Sequence, residues 1–247
     1  MLPRMYGLIL ALLLLVALVV TAPARLLALV LPADRVVMQG FNGTLWRGSA
    51  SRTLVEIGPG YLQLGSVDWS LAPLSLLTFR PRLDLSSEWG RQRLEASLVL
   101  RGDADFSAHD VSANLPAELV RHYLPVVLKG ELSLQFSHLQ VRDGLPYEAL
   151  GRIVWQNAAW LSPSGVRPLG SYAVELEQAT GGDLDGQVVT LAGPVEASGS
   201  VQLSGTDYRI DVLLGSDEPL DKQLSQALSL VAVQEAGGYR VALQGSL

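Results

Sequence analysis

The chain has 247 residues, of which 49% are hydrophobic, and a formal net charge of −6 with lysine at only two positions, Lys129 and Lys222. Such a balance offers no field for a phosphate backbone, so nucleic acid is excluded as an expected partner. Cysteine is absent, which removes thiol catalysis, Cys-ligated zinc and disulfide staples together; stability has to come from burial and β pairing.

No Asp, Glu, Lys, Arg or His falls between Arg4 and Arg25, and eleven Leu, Ile or Val residues lie from Leu8 to Val20. As a helix this run reaches about 30 Å, one hydrocarbon thickness, and predicts a transmembrane segment. Arg4, the apolar run and Ala22-Pro23-Ala24 also read as the three regions of a secretory signal. Pro23 in the would-be cleavage site, and the continuing pattern of Leu26, Leu27, Leu29, Val30 and Leu31, favour a retained anchor over residues 1–31. Positive charges nearly balance across the segment, Arg4 and the α-amine against Arg25 and Arg35, so the signal-like order carries the expectation of a cytoplasmic N-terminus. Either reading exports residues 32–247, which are expected to form a single β-rich domain.

Period-two alternation dominates that body. Val67, Trp69 and Leu71 alternate with Ser66, Asp68 and Ser70, and Leu132, Leu134 and Phe136 with Glu131, Ser133 and Gln135, as half-buried strands do. Similar runs at 94–100, 210–214 and 239–243 complete an antiparallel pattern. Gly65, Gly130, Gly151 and Gly199 each open a run of the form Gly, any, apolar, any, apolar; they predict strand starts in a curved sheet where a neighbour passes close to the backbone. Arg80, Arg82, Arg91 and Arg93 interleave with Asp84, Glu88 and Glu95 as the mixed-charge face of a hairpin turning near Trp89-Gly90.

Two stretches break the alternation. After Asn114, Leu115, Leu119, Tyr123 and Leu124 fall near helical spacing, and Pro125 stops the run; after Asp217, Leu220, Leu224, Ala227 and Leu228 form an i, i+4, i+7, i+8 stripe. Each predicts a short amphipathic helix laid on the sheet. The expected fold is therefore mainly β: a curved antiparallel meander sheet or open half-barrel with one or two short amphipathic helices, preceded by one transmembrane helix.

Catalytic chemistry has little support. His109, His122 and His138 are isolated in sequence and lack the i, i+4 pairing of a zinc helix, and neither a G-x-S-x-G elbow nor a phosphate loop occurs. The segment 181–186, Gly-Gly-Asp-Leu-Asp-Gly, lacks the ligands of a calcium loop and reads as turn chemistry. No catalytic residue, metal or cofactor is expected. The tryptophans are the better signal: Trp46, Trp69, Trp155 and Trp160 are structural or partner-contact candidates, either core anchors or the lining of an open apolar groove.

Several fragments taken in order carry a resemblance: the N-terminal apolar segment, Gly43-Thr-Leu-Trp-Arg-Gly-Ser-Ala50, Val67-Asp-Trp69 with Pro73 shortly after, Gly151-Arg-Ile-Val-Trp155, Leu169-Gly-Ser-Tyr172, Gly199-Ser-Val-Gln-Leu203 and the closing run from Gly237 to Gly245. Together they resemble the protein N family of the type II secretion system, also called general secretion pathway protein N. The resemblance implies a non-enzymatic bitopic protein of the Gram-negative inner membrane with its bulk in the periplasm. It also implies an accessory role in exporting folded proteins across the outer membrane, with other secretion subunits at the inner-membrane platform or the secretin as partners. The alternative function is a periplasmic bridge protein that binds lipid or another apolar ligand in an open β groove.

Overall fold

The computed structural model describes residues 2–32, 35–57, 60–102, 104–122, 127–162, 165–178, 183–216, 225–226, 228–229, 232–235 and 238–246. By internal contacts the chain divides into two units, Met1–Gly90 and Arg91–Leu247.

The first unit opens with helix α1, Leu2–Val20, followed by a 3₁₀ turn at Ala24–Leu26 and one helical turn at Leu27–Val30. From Leu13 to Val20 the α1 side chains are exposed. Among the described residues no helix is long and apolar enough to cross a membrane; the side chains of residues 2–5, 7, 8, 11 and 12, within the expected span, lie outside the described set. Four strands follow, β1 (Val36–Gly43), β2 (Arg47–Ile57), β3 (Gly60–Leu71) and β4 (Arg82–Trp89). They pair antiparallel in chain order, with Phe41 opposite Ala50, Ala50 opposite Val67 and Trp69 opposite Leu85. The alternation read from sequence is physical in β3: Val67 and Trp69 are buried while Ser66 and Asp68 are exposed. A 3₁₀ turn, Pro73–Thr78, joins β3 to β4.

The second unit holds β5 (Gln92–Leu100), β6 (Phe106–Pro116), β7 (Leu128–Arg142), β8 (Leu145–Ser162), β9 (Gly165–Gln178), β10 (Leu184–Ala192), β11 (Glu196–Ser204), β12 (Asp207–Gly215), β13 (Val233–Glu235) and β14 (Gly238–Ser246). Each strand from β5 to β11 pairs antiparallel with its successor; then β12 pairs with β14, leaving β13 outermost. Buried Phe136, Ala149 and Leu184 form the centre of its core, with half-buried Val111, Leu134, Ile153, Leu176 and Leu203 packed against them.

Three expectations need correction. Among the described residues the stretch after Asn114 is not the expected helix: β6 continues to Pro116, with Leu115 opposite Leu132, and a 3₁₀ turn at Ala117–His122 follows, while Tyr123, Leu124 and Pro125 lie outside the described residues. Ladder hydrogen bonds to β7 outweigh a weak helical spacing there. Of the second stripe, residues 217–224 and 227 lie outside the described residues; Ser225, Gln226 and Leu228 are helical. The glycines are also not strand starts. Gly65 lies inside β3 and Gly130 is the third residue of β7, where the β7–β8 register shifts between Lys129 and Glu131. The reason for a glycine there is a close crossing: at φ 119°, a Cβ on Gly130 would stand 2.8 Å from the Trp155 indole nitrogen. Of the expected turn at 181–186, Leu184, Asp185 and Gly186 belong to β10, and residues 181–182 lie outside the described set.

Candidate functional site

The most constrained polar corner of the first unit lies where α1 ends. A helix leaves its last carbonyls without intrahelical donors, and here a side chain from far along the sequence supplies one: the Trp46 indole N–H donates to the Val19 carbonyl at 2.7 Å. The amide of Leu45 donates to the Ala22 carbonyl at 2.8 Å, and Pro23 forms an antiparallel bridge with Thr44. The chain then enters the core, where Ala24 packs with Ala50 and Trp69, each nearly fully buried. Trp69, 4% exposed, donates its indole N–H to the Leu45 carbonyl at 3.1 Å and meets Phe41 edge-on at 6.3 Å. The same corner extends to the β3–β4 connection, because the Leu71 amide donates to the Trp46 carbonyl and the Ala72 amide to that of Arg82. Two of the four tryptophans singled out from sequence thus meet at the helix exit.

The other two lie in the second unit. Trp155 is half-buried, donates to the Lys129 carbonyl at 3.1 Å and lies tilted against Tyr172 at 6.0 Å. Trp160 is buried and opposite Leu128 in the ladder. The Tyr172 hydroxyl oxygen is 2.9 Å from the carbonyls of both Leu169 and Val195. Burial penalises its ionised form and pushes its pKa up to about 12.

Sequence reasoning missed one cluster. The β6–β7 register sets His109 opposite His138, their Nδ1 atoms 3.4 Å apart, and His138 Nε2 lies 3.2 Å from Glu148 Oε2 on β8. Residues separated by a long loop become neighbours only once the register is known. His138 stands between the other two, so the three do not converge on one point; among the described residues no group of three or more His, Cys, Asp or Glu could hold a metal ion. The side chain of His122 lies outside the described set.

Near that cluster an open groove of about 580 Å³ crosses β6 to β9, with Val111, Phe136, Leu150 and Leu176 as its apolar lining and Arg152 and Glu175 at its polar side. Those two ions pair at 2.9 Å. At the far end of the sheet Arg240 on β14 grips Asp211 on β12 with two nitrogens, Nε to Oδ1 at 2.8 Å, and approaches Glu235 at 3.6 Å. This hydrogen bonding holds the Asp211 carboxyl below the usual range.

Among the described residues the geometry offers an anchored corner, a groove of mixed polarity and strand edges. The family described as "Type II secretion system (T2SS), protein N" matches residues 34–242. Three proteins bearing the name type II secretion system protein N are similar. That of Aeromonas hydrophila is 31% identical over 170 residues, 64% of each chain. That of Klebsiella pneumoniae is 30% identical over 192 residues, 70% of this chain and 71% of its own. That of Pectobacterium carotovorum subsp. carotovorum is 27% identical over 238 residues, 92% of this chain and 90% of its own. The match thus spans a little under two thirds of the Aeromonas protein's length. No solved structure matches. A family match covering most of the body, with relatives aligned across it, means that this chain belongs to the type II secretion system protein N family.

Proposed function

We propose that the protein is a non-enzymatic accessory subunit of the type II secretion machine, acting through protein–protein contacts in the export of folded proteins across the outer membrane. Its reading rests on the family match over residues 34–242. In this reading α1 spans the inner membrane of a Gram-negative cell with its N-terminus in the cytoplasm, and residues 32–247 form one periplasmic body. The hydrogen bonds from Trp46 and Leu45 to the helix end support it, since they fix the body directly to the exit of the span. Partner subunits, at the inner-membrane platform or the secretin, dock on strand edges: β1 in the first unit and β13 in the second each have one unpaired side in the strand order of their own unit. Such edges accept an added strand. The tryptophans serve as structural anchors, and no cofactor or nucleic acid takes part.

Deleting the protein tests this. Folded secretion substrates are expected to remain in the periplasm instead of reaching the medium, and a tagged copy extracted in detergent should carry platform subunits or the secretin. Full secretion together with an intact machine in the deletion strain overturns the reading.

A second reading follows from the groove. Val111, Phe136, Leu150 and Leu176 give the groove an apolar strip that stays partly open, and such a strip suits an acyl chain. A shift in outer-membrane lipid composition on deletion, with secretion unchanged, selects it.

A further inference from the structure

The 3₁₀ turn between β3 and β4 displays its apolar side chains outward. Leu74 is 77% exposed, Leu77 78% and Phe79 89%. Three large apolar groups at one tight connection are a patch, where scattered single ones would need no explanation. The arrangement is also held rather than loose. The Ser75 hydroxyl donates to the Ala72 carbonyl and accepts from the Arg82 amide at 2.8 Å, Thr78 donates to the Ser75 carbonyl at 2.8 Å, and the Phe79 amide donates to Leu76 at 3.1 Å. Phe79 itself sits at φ 54°, ψ 28°. That left-handed conformation is strained for an aromatic residue; glycine would relieve it. The turn therefore keeps a strained backbone while its aromatic ring projects into solvent.

The connection lies at a fixed place relative to α1. Leu71, two residues before the turn, donates its amide to the Trp46 carbonyl, and the Trp46 indole donates to Val19 in the last turn of the helix. Exposed Arg80 and Arg82 follow the patch directly. Apolar tips, a tryptophan at helix-end level and flanking guanidiniums are the ingredients of an interfacial membrane contact, in which apolar groups enter the acyl boundary and cations face anionic headgroups.

We propose that the Pro73–Thr78 turn with Phe79 is a second membrane contact, inserting Leu74, Leu77 and Phe79 into the bilayer surface from which α1 emerges, with Arg80 and Arg82 on anionic headgroups. The proposal rests on the reading of α1 as the anchor, and it commits to lipid as the occupant because the cations and the helix exit lie together. Two contacts would fix the tilt of the first unit against the membrane, where a single helix leaves it free to swivel.

The absence of cysteine allows a direct test. Full-length protein carrying Leu14→Cys, Leu77→Cys or Tyr61→Cys is labelled with an environment-sensitive nitrobenzoxadiazole dye. It is then reconstituted in phosphatidylcholine–phosphatidylglycerol vesicles with lipids nitroxide-labelled near the headgroup or deep in the acyl chain. Tyr61 is exposed and lies at the opposite end of β3 from Leu71, about 33 Å along the strand. The dye at residue 77 is expected to lose most of its emission to the shallow quencher and that at residue 14 to the deep one, while the dye at 61 is unaffected. Arg80→Gln with Arg82→Gln should reduce quenching at 77 and leave that at 14 intact. Quenching at 14 without quenching at 77 overturns the proposal and spares the anchor. Absence of quenching at both overturns the anchor reading and the proposal with it. A dye at 77 that is shielded from water but unquenched by lipid marks a protein contact and also overturns it.

Discussion

Trp69 does three things with one side chain: it fills the space between Ala24 and Ala50, meets Phe41, and satisfies the Leu45 carbonyl. Trp69→Ala is therefore expected to cost about 3–5 kcal/mol, read from chemical denaturation of the detergent-solubilised chain. Trp46→Phe removes a single hydrogen bond and should cost about 1 kcal/mol while loosening the helix end, visible as faster amide exchange at residues 19–22. Tyr172 gives a pH prediction with a definite sign. Its folded pKa, about 12, lies above the ordinary value of 10.0, so the unfolded chain gives up the phenolic proton first. The stabilisation is complete below pH 10 and is lost as pH rises through 12. Tyr172→Phe should be less stable at neutral pH by about 1–2 kcal/mol, and the alkaline loss of stability should shrink in the variant. Residue roles were unevenly legible in sequence. Tryptophan chemistry marked Trp46 and Trp69 because indoles need a partner when buried, but the partners, Val19 and Leu45, depend on how the helix meets the sheet, and local patterning carries no information about that.

At the scale of elements, β14 is joined to β12 by a ladder and by the Arg240–Asp211 ion pair. Because the Asp211 carboxyl is held below its usual range, the clip is complete above the ordinary carboxylate pKa of about 4 and is lost as pH falls through the folded value. Asp211→Asn should speed hydrogen exchange across residues 238–246 and leave β7 and β8 unchanged. Edge strands give a second prediction: Gln39→Lys, at an exposed position of β1, should lower recovery of partner subunits while changing stability by no more than about 0.5 kcal/mol. Strands with clean alternation, β3 and β7 among them, were readable from the sequence. β8 was not readable at its full length of 18 residues. Its register slips between Trp155 and Ala158, where Asn157 takes φ 49°; a bulge exchanges the two faces, so a strict period of two breaks inside an unbroken strand. The stretch after Asn114 failed differently: Leu115, read as the first residue of a helical stripe, serves a strand as well, and its partner Leu132 on β7 decided for the strand.

For the whole molecule, the antiparallel meander was legible because turn residues recur between short apolar alternations, whereas strand neighbours at the C-terminal end were not, since β12 skips β13 to reach β14. Nor could alternation reveal that the His109–His138 pair would form across a long loop. The expectation of an anchored protein leads to a fractionation test: the full chain should stay with membranes through alkaline extraction, and a chain beginning at residue 32, placed behind a cleavable secretory signal, should be recovered in the soluble periplasm with a β-type far-ultraviolet spectrum.

The meander has a consequence for how the protein is made. From β6 through β12 each strand finds its partner in the strand just delivered before it, so loops to be closed are short and little chain has to wait unpaired. In a chain made from its N-terminal end, this order of pairing lets structure accumulate as each strand is delivered. The exception is β12, whose partner is β14 and not β13, so β13, although made earlier, has to wait for β14 before it joins the sheet at its outer edge.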